Sequence, residues 1–153
     1  VNAICIDGGV LYAAGAEKVS GGRWKGVLWK DGQPTYFTEE VGTEVTGLYV
    51  KEGKYIIEGN MTADSGDIVT CIWTEEGVQV ISEGMALCQG TGLAVAGSDI
   101  YVAGNAYDMD YDTYEEIYRS PVWKNGTEMA LEVVSSDNFT VWGLACAFVD
   151  TQE

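Results

Sequence analysis

Ile100-Tyr101-Val102-Ala103-Gly104 is a five-residue phrase that occurs three times in this chain in similar form. It is followed by a second recurring phrase, Val122-Trp123-Lys124-Asn125-Gly126. These two phrases indicate the fold. The earlier copies of the first phrase are Leu11 to Gly15 and Tyr55 to Gly59. The earlier copies of the second phrase are Leu28 to Gly32 and Ile72 to Gly77. Self-similarity at a fixed spacing is the signature of a repeat architecture, so the chain is predicted to contain three copies of one structural unit.

Composition sets the limits for the whole chain. Its 153 residues include 46% hydrophobic residues, which is enough to form a buried core in one domain of ordinary size. The net charge of −16 argues against binding to nucleic acid or to an anionic membrane, since both require a basic surface. No stretch is apolar for the roughly 18 residues that a transmembrane helix needs, so no transmembrane segment is expected.

The cysteines and the chain ends add two expectations. The four cysteines have no C-x-x-C spacing, which argues against zinc, and they are expected to be buried free thiols. The sequence has no initiating Met and no signal peptide. We therefore expect either that a leader was removed or that the sequence is a piece of a longer protein.

Within each repeat the apolar residues alternate with a period of two, which indicates β-strands, and glycine-containing turn signals such as Glu52-Gly53 and Asn125-Gly126 separate them. Four strands per unit are predicted, at residues 1–6, 10–15, 24–30 and 34–38, then 45–50, 54–59, 69–74 and 78–82, then 91–95, 99–105, 117–124 and 128–134. A further strand is predicted at residues 141–148. Thr74 to Gly77 departs from the Lys-Asp-Gly pattern, and a longer loop is predicted there.

Four antiparallel strands repeated at this spacing are typical of β-propeller blades. The predicted fold class is therefore all-β, with three four-stranded blades at residues 1–44, 45–90 and 91–140 and a partial fourth blade at residues 141–153. Small residues in each opening strand suit the crowded inner strand of a blade. Trp29, Trp73 and Trp123 are predicted to occupy equivalent positions and to be largely buried between blades.

The phrases IYVAG at residues 100–104 and VWKNGT at residues 122–127 resemble the tandem repeats of exported bacterial β-propeller proteins with the pattern "VYVAG … YWKNG". The resemblance implies an extracytoplasmic location, in an exported or cell-surface protein. It transfers no catalytic residue, because the motifs specify the fold of these proteins rather than a reaction.

Three blades and one strand are fewer than the four to eight blades of a closed propeller. The chain is therefore expected to belong to a larger propeller, with the ring closed by remaining blades or by a second chain. An open stack would leave apolar surface exposed at its ends.

Residues 107–116 are the one unusual segment, and three interpretations of them are open. The alternating aspartates Asp108, Asp110 and Asp112 resemble the start of a calcium loop, although Thr113 stands where such a loop needs Gly. A solvated acidic hairpin is the second interpretation. The third is a recognition loop, in which Tyr107, Tyr111 and Tyr114 provide rigid amphipathic contacts to a ligand.

Two classes of function follow. The absence of histidine excludes Ser-His-Asp and Cys-His catalysis within this chain, and no cofactor other than calcium is expected. The favoured function is a non-enzymatic binding or scaffold module that recognises a protein or glycan through blade loops. The alternative is a glycan-active hydrolase or lyase that uses carboxylates, which are plentiful but have no diagnostic spacing.

Overall fold

The computed structural model describes residues 1–82, 87–110 and 112–130, and over these residues the chain is all-β. Thirteen strands and no helix occur in these three ranges, which confirms the predicted all-β class. No helix long and apolar enough to cross a membrane is found among the described residues. The predicted strand 141–148 and most of the predicted strand 128–134 lie outside them.

The strands form three units with the same order. Unit 1 contains β1 (Ala3–Asp7), β2 (Val10–Lys18), β3 (Trp24–Lys30) and β4 (Gln33–Val41). Unit 2 contains β5 (Glu44–Lys51), β6 (Lys54–Thr62), β7 (Ile68–Thr74) and β8 (Gly77–Val80). Unit 3 contains β9 (Leu87–Ala96), β10 (Asp99–Asp110), β11 (Glu115–Arg119), β12 (Val122–Lys124) and β13 (Thr127–Glu128).

Each unit is an antiparallel meander, in which strands adjacent in sequence are adjacent in the sheet, except that β11 and β12 of unit 3 both pair with β10. Unit 1 forms a separate four-stranded sheet in the order β1-β2-β3-β4. Units 2 and 3 form one nine-stranded sheet only because a single parallel bridge, between Ile68 and Leu87, connects them. Among the described residues these sheets are open, so the propeller arrangement stays a prediction.

The glycine that ends each repeated phrase allows two backbones to come close together. A Cβ added to Gly59 would lie 2.0 Å from the carbonyl oxygen of Glu44, and one added to Gly104 would lie 2.6 Å from that of Gln89. At Gly15 the added Cβ would lie 2.8 Å from the Cα of Val1. In all three units a side chain here would collide with backbone in the first strand or just before it, which is why glycine recurs.

The turn between the third and fourth strands has two residues in every unit, and its first side chain bonds to the second strand. Oδ1 of Asp31 accepts the Leu11 N–H at 3.0 Å, and Oδ1 of Asn125 accepts the Ile100 N–H at 2.8 Å. Both turn residues have a positive φ, which suits a type I′ hairpin turn. The longer loop predicted for unit 2 was wrong, because Thr74 pairs directly with Gly77.

The third strand of unit 3 differs from the prediction at residues 117–124. It is divided into β11 and β12 at Ser120 and Pro121, although both parts pair with β10 in the same register. Proline has no N–H to donate to a ladder, so a gap in the pairing at this point has a direct cause. The second strand also runs further than predicted, to Asp110 rather than residue 105.

The units pack face to face, and the core lies between them. The opening strands are neighbours, with β1 beside β5 and β5 beside β9. The buried residues of the first joint are Tyr12, Ala14 and Leu28 of unit 1 with Val45, Val50, Ile57, Val69, Cys71 and Trp73 of unit 2. The buried residues of the second joint are Ile72 of β7 and Ile81, which directly follows β8, together with Cys88, Val102, Ala106 and Trp123 of unit 3.

The three repeated tryptophans occupy equivalent positions, as predicted. They pair with Ala13, Ile57 and Val102 at the same point of the second strand. Trp73 and Trp123 are each 1% exposed, which confirms their predicted burial. Trp29 is only partly buried, because neither of the other two described units covers the side of unit 1 on which it lies.

Candidate functional site

An extended hairpin at residues 107–119, here called the tyrosine hairpin, distinguishes unit 3 from the other two. In units 1 and 2 the second strand ends three residues after the repeated glycine, at Lys18 and Thr62, whereas β10 continues for six residues after Gly104. The additional residues pair with β11, from Tyr107 opposite Tyr118 to Asp110 opposite Glu115. The predicted site residues that the structure describes therefore lie on a two-stranded ladder and its turn.

The tyrosines of this hairpin are presented in two ways. Tyr114 lies in the turn, is 78% exposed, and has a positive φ of 58°. Tyr107 and Tyr118 face each other across the ladder with ring centroids 5.3 Å apart, and Tyr118 is 48% exposed. Their contact restricts both rings, which lowers the entropy lost when a ligand binds to them. Tyr111 lies outside the described residues.

The aspartates of the proposed calcium loop bond to nearby backbone groups. Oδ1 of Asp110 accepts the N–H groups of Asp112 and Thr113 at 2.8 and 3.2 Å, and these bonds lower the pKa of the Asp110 carboxyl. Oδ1 of Asp108 accepts the Met109 N–H at 2.8 Å. Within the described ranges no group of three acidic or cysteine side chains is close enough to hold a metal ion, and calcium binding stays one of the open interpretations of this segment.

The hairpin has a negative electrostatic character. Arg119 is its only basic residue in the sequence, and the guanidinium lies 3.3 Å from the Glu128 carboxylate. The acidic side chains of residues 107–119 are Asp108, Asp110, Asp112, Glu115 and Glu116. Glu116 also accepts a hydrogen bond from the Tyr118 hydroxyl at 2.9 Å, which raises the pKa of that tyrosine. The exposed aromatic rings are thus surrounded by hydrogen-bond acceptors.

A second feature, which the sequence prediction missed, is a buried carboxyl group between units 2 and 3. Glu58 is fully buried, and Thr46 Oγ1 donates a hydrogen bond to its Oε2 at 2.5 Å. No described residue donates a hydrogen bond to its Oε1. Burial raises the pKa of Glu58 to about 7, because removal from water disfavours the charged form.

The polar residues beside Glu58 bond to one another or to the backbone. The side-chain amide of Asn60 bonds both backbone groups of Gly90, with Oδ1 accepting the N–H at 2.7 Å and Nδ2 donating to the carbonyl at 3.2 Å. Ser82 Oγ accepts the Thr70 N–H at 2.8 Å. These neighbours are satisfied, whereas one oxygen of Glu58 is not.

One sequence signal could have revealed Glu58. It interrupts the apolar run Tyr55-Ile56-Ile57 at a position where the other two phrases have Ala14 and Ala103. A carboxyl group in place of a repeated alanine indicates a buried charge or a specific partner. The acidic composition of the chain hid this signal, because an isolated Glu is not unusual among 24 acidic residues.

Comparisons with protein-family models, with curated proteins and with solved structures gave no match. The two features must therefore be compared on their geometry. The tyrosine hairpin presents aromatic and acidic groups to solvent, whereas Glu58 is closed off between Gly47 and Gly90. Only the hairpin can contact a partner without movement of the units.

Proposed function

We propose that this chain is a binding or scaffold module that recognises a protein or a glycan partner through the tyrosine hairpin. The observation that carries the proposal is the exposure of Tyr114 and Tyr118 on an extension that units 1 and 2 do not have. An extension that adds no core surface but presents aromatic rings is better explained by binding than by stability.

The chemistry of the hairpin suits both partner classes. Tyrosine offers a large contact area with few rotatable bonds, so that little conformational entropy is lost on binding. The acidic side chains beside the rings can accept hydrogen bonds from the hydroxyls of a glycan or from the basic side chains of a protein. The net charge of −16 favours a partner without strong negative charge.

We further propose that the three meanders are blades of a β-propeller in an exported or cell-surface protein. Support for the architecture comes from the adjacent opening strands and from the apolar cores between successive units. Support for the location comes from the resemblance of the repeated phrases to exported propeller proteins. A ring would be completed by further blades or by another chain.

A carboxylate-dependent hydrolase or lyase is the second candidate, and Glu58 favours it. A pKa of about 7 is typical of carboxyl groups that act as general acids near neutral pH. However, the side chain has no solvent exposure, and a general acid must lie within hydrogen-bonding reach of its substrate. The binding function therefore has the stronger support.

Glycan and peptide arrays probed with the chain test the proposal. A selective partner is expected, and Tyr114→Ser and Tyr118→Ser should each weaken its binding by at least about tenfold, as for other exposed aromatic anchors. Tyr36→Ser, which changes an exposed tyrosine of unit 1, is the matched control. Equal binding by all three variants would show that the hairpin is not the recognition surface.

A further inference from the structure

One side of each unit, here called the leading face, is directed toward the preceding unit. In unit 2 this face includes Val50, Ile57 and Trp73, which belong to the core shared with unit 1. Phe37 of unit 1 contacts the Trp73 ring edge-on, with centroids 5.4 Å apart. In unit 3 the equivalent positions are held by Val95, Val102 and Trp123, all of which are buried.

Unit 1 has a leading face of the same chemistry, but it is exposed. Ile6 pairs with Leu11 as Val50 pairs with Tyr55, so Ile6 and Val50 are equivalent. Val50 is 4% exposed, whereas Ile6 is 72% exposed and its neighbour Ile4 is 68% exposed. Unit 1 thus exposes two neighbouring isoleucines on the face that units 2 and 3 bury, and an exposed apolar patch of this kind marks an interaction surface.

The opposite side of each unit, the trailing face, is also repeated. Tyr12 of unit 1 is buried in the first joint, and the ammonium of Lys30 lies 5.6 Å from the centre of its ring. Tyr101 is the equivalent residue of unit 3, and the ammonium of Lys124 lies 5.5 Å from its ring. Tyr101 is only partly buried, and neither of the other two described units covers its ring.

We propose that a second copy of this chain docks its unit 3 trailing face, with Tyr101 and Lys124, onto the unit 1 leading face, with Ile4, Ile6 and Trp29. The first joint within the chain already shows this contact, because there a tyrosine–lysine trailing face covers a leading face with a branched aliphatic residue and a tryptophan. Each chain has both halves of the contact, so that copies associate head to tail. This association is separate from recognition through the tyrosine hairpin.

Sedimentation velocity and light scattering on the whole chain test the proposal, at a salt concentration that screens the repulsion between acidic copies. The wild type should self-associate as its concentration increases, and Ile6→Lys should weaken this by at least about tenfold. Val78→Lys, at an exposed valine of unit 2, should associate like the wild type. A monomeric wild type at every concentration, or association that Ile6→Lys does not change, would overturn the proposal.

A mixing experiment distinguishes head-to-tail from symmetric contact. Tyr101→Lys removes the trailing half, as Ile6→Lys removes the leading half, so each variant alone should be monomeric. Mixed in equal amounts, they should form a dimer through the intact leading face of one and the intact trailing face of the other. Variants that remain monomeric after mixing, although circular dichroism shows both to be folded, would contradict head-to-tail association.

Discussion

The two joints between units have the same backbone arrangement but opposite distributions of side-chain size. In the first joint a small residue, Ala14, stands on the trailing face, and Val45 stands on the opposing first strand. In the second joint the equivalent positions are held by a large residue, Glu58, and by Gly90. A Cβ on Gly90 would lie 2.0 Å from Glu58 Oε1, so the two residues fit only as a pair.

The same backbone carbonyl accepts a side-chain hydrogen bond in both joints, but a different asparagine donates it. The carbonyl of Val45 accepts a bond from Asn2 Nδ2 at 2.9 Å. The equivalent carbonyl of Gly90 accepts its bond from Asn60 Nδ2 at 3.2 Å. The repeat therefore fixes where a backbone group needs a partner, while that partner comes from the residue before β1 in the first joint and from β6 in the second.

The largest effect is expected from the tryptophans, which test whether a covered leading face stabilises the fold. Trp73→Ala should lower the free energy of unfolding by about 3–5 kcal/mol, because it empties a fully packed site. Trp29→Ala, at the equivalent but partly exposed position, should cost about 1–2 kcal/mol, since the Trp29 ring buries less apolar surface than the Trp73 ring does. Urea denaturation measures both. Equal costs would show that the first joint does not bury its tryptophan in solution.

The paired sizes of Glu58 and Gly90 are tested by a double-mutant cycle. Gly90→Val alone should cost about 3 kcal/mol through overpacking against the carboxyl group. Combined with Glu58→Ala, which introduces the alanine and valine of the first joint, part of this loss should be recovered, while the contact of 2.6 Å between the added Cβ and Thr70 Cγ2 keeps the rest. Additive costs in urea denaturation would mean that the two joints are not interchangeable.

The pH dependence of stability should distinguish the joint that contains a carboxyl group. The pKa of Glu58 is about 7 in the folded chain, above the ordinary 4.5 of a solvated glutamate in an unfolded one, so the folded state binds the proton more tightly. Stability from this group is thus present at low pH and is lost as the pH rises through 7.

Between about pH 5 and pH 8 the loss from Glu58 should be roughly 2 kcal/mol. Glu58→Gln should remove this part of the pH dependence, whereas Glu76→Gln, at an exposed carboxylate of unit 2, should not. Thermal or urea unfolding across this pH range measures the difference. Parallel profiles for the wild type and Glu58→Gln would mean that Glu58 is solvated in the folded protein.

The smallest effect is expected from the two asparagines. Asn60→Ala should cost about 1–2 kcal/mol, because it leaves the buried N–H and carbonyl of Gly90 without their partners. Asn2→Ala should cost about 0.5 kcal/mol, since water can replace its part-buried bond to Val45. Urea denaturation measures both losses of unfolding free energy. If Asn2→Ala lost more than Asn60→Ala, the first joint, not the second, would depend more on side-chain hydrogen bonds.

The features that the sequence predicted correctly depend on local chemistry. Period-two alternation and the turn signals at Glu52-Gly53 and Asn125-Gly126 located most strands to within a few residues, because each hairpin is specified by neighbouring residues. The equivalence of Trp29, Trp73 and Trp123 followed from the same repeated spacing. The exposed acidic and aromatic segment was also visible as an insertion that breaks the period.

The features that the sequence did not predict depend on contacts between units. The comparison of the repeats marks Glu58 only as unusual, and its burial comes from contacts with Gly47 on its own unit and with Gly90 on the next. The partial exposure of Trp29 likewise depends on what covers unit 1. The division of the third strand could have been predicted from Pro121, whose missing N–H interrupts a ladder.

The meander order also has a consequence for how the chain folds. Every ladder within a unit joins strands that are consecutive in the sequence or, for β10 and β12, separated only by β11, so a unit can form its hairpins with little loop-closure entropy. Folding is then expected to start within one unit and to spread by addition of neighbours, as in other repeat proteins. Amide hydrogen exchange should accordingly be slowest in unit 2, which has a partner on each side, and faster in β1 and β4 of unit 1.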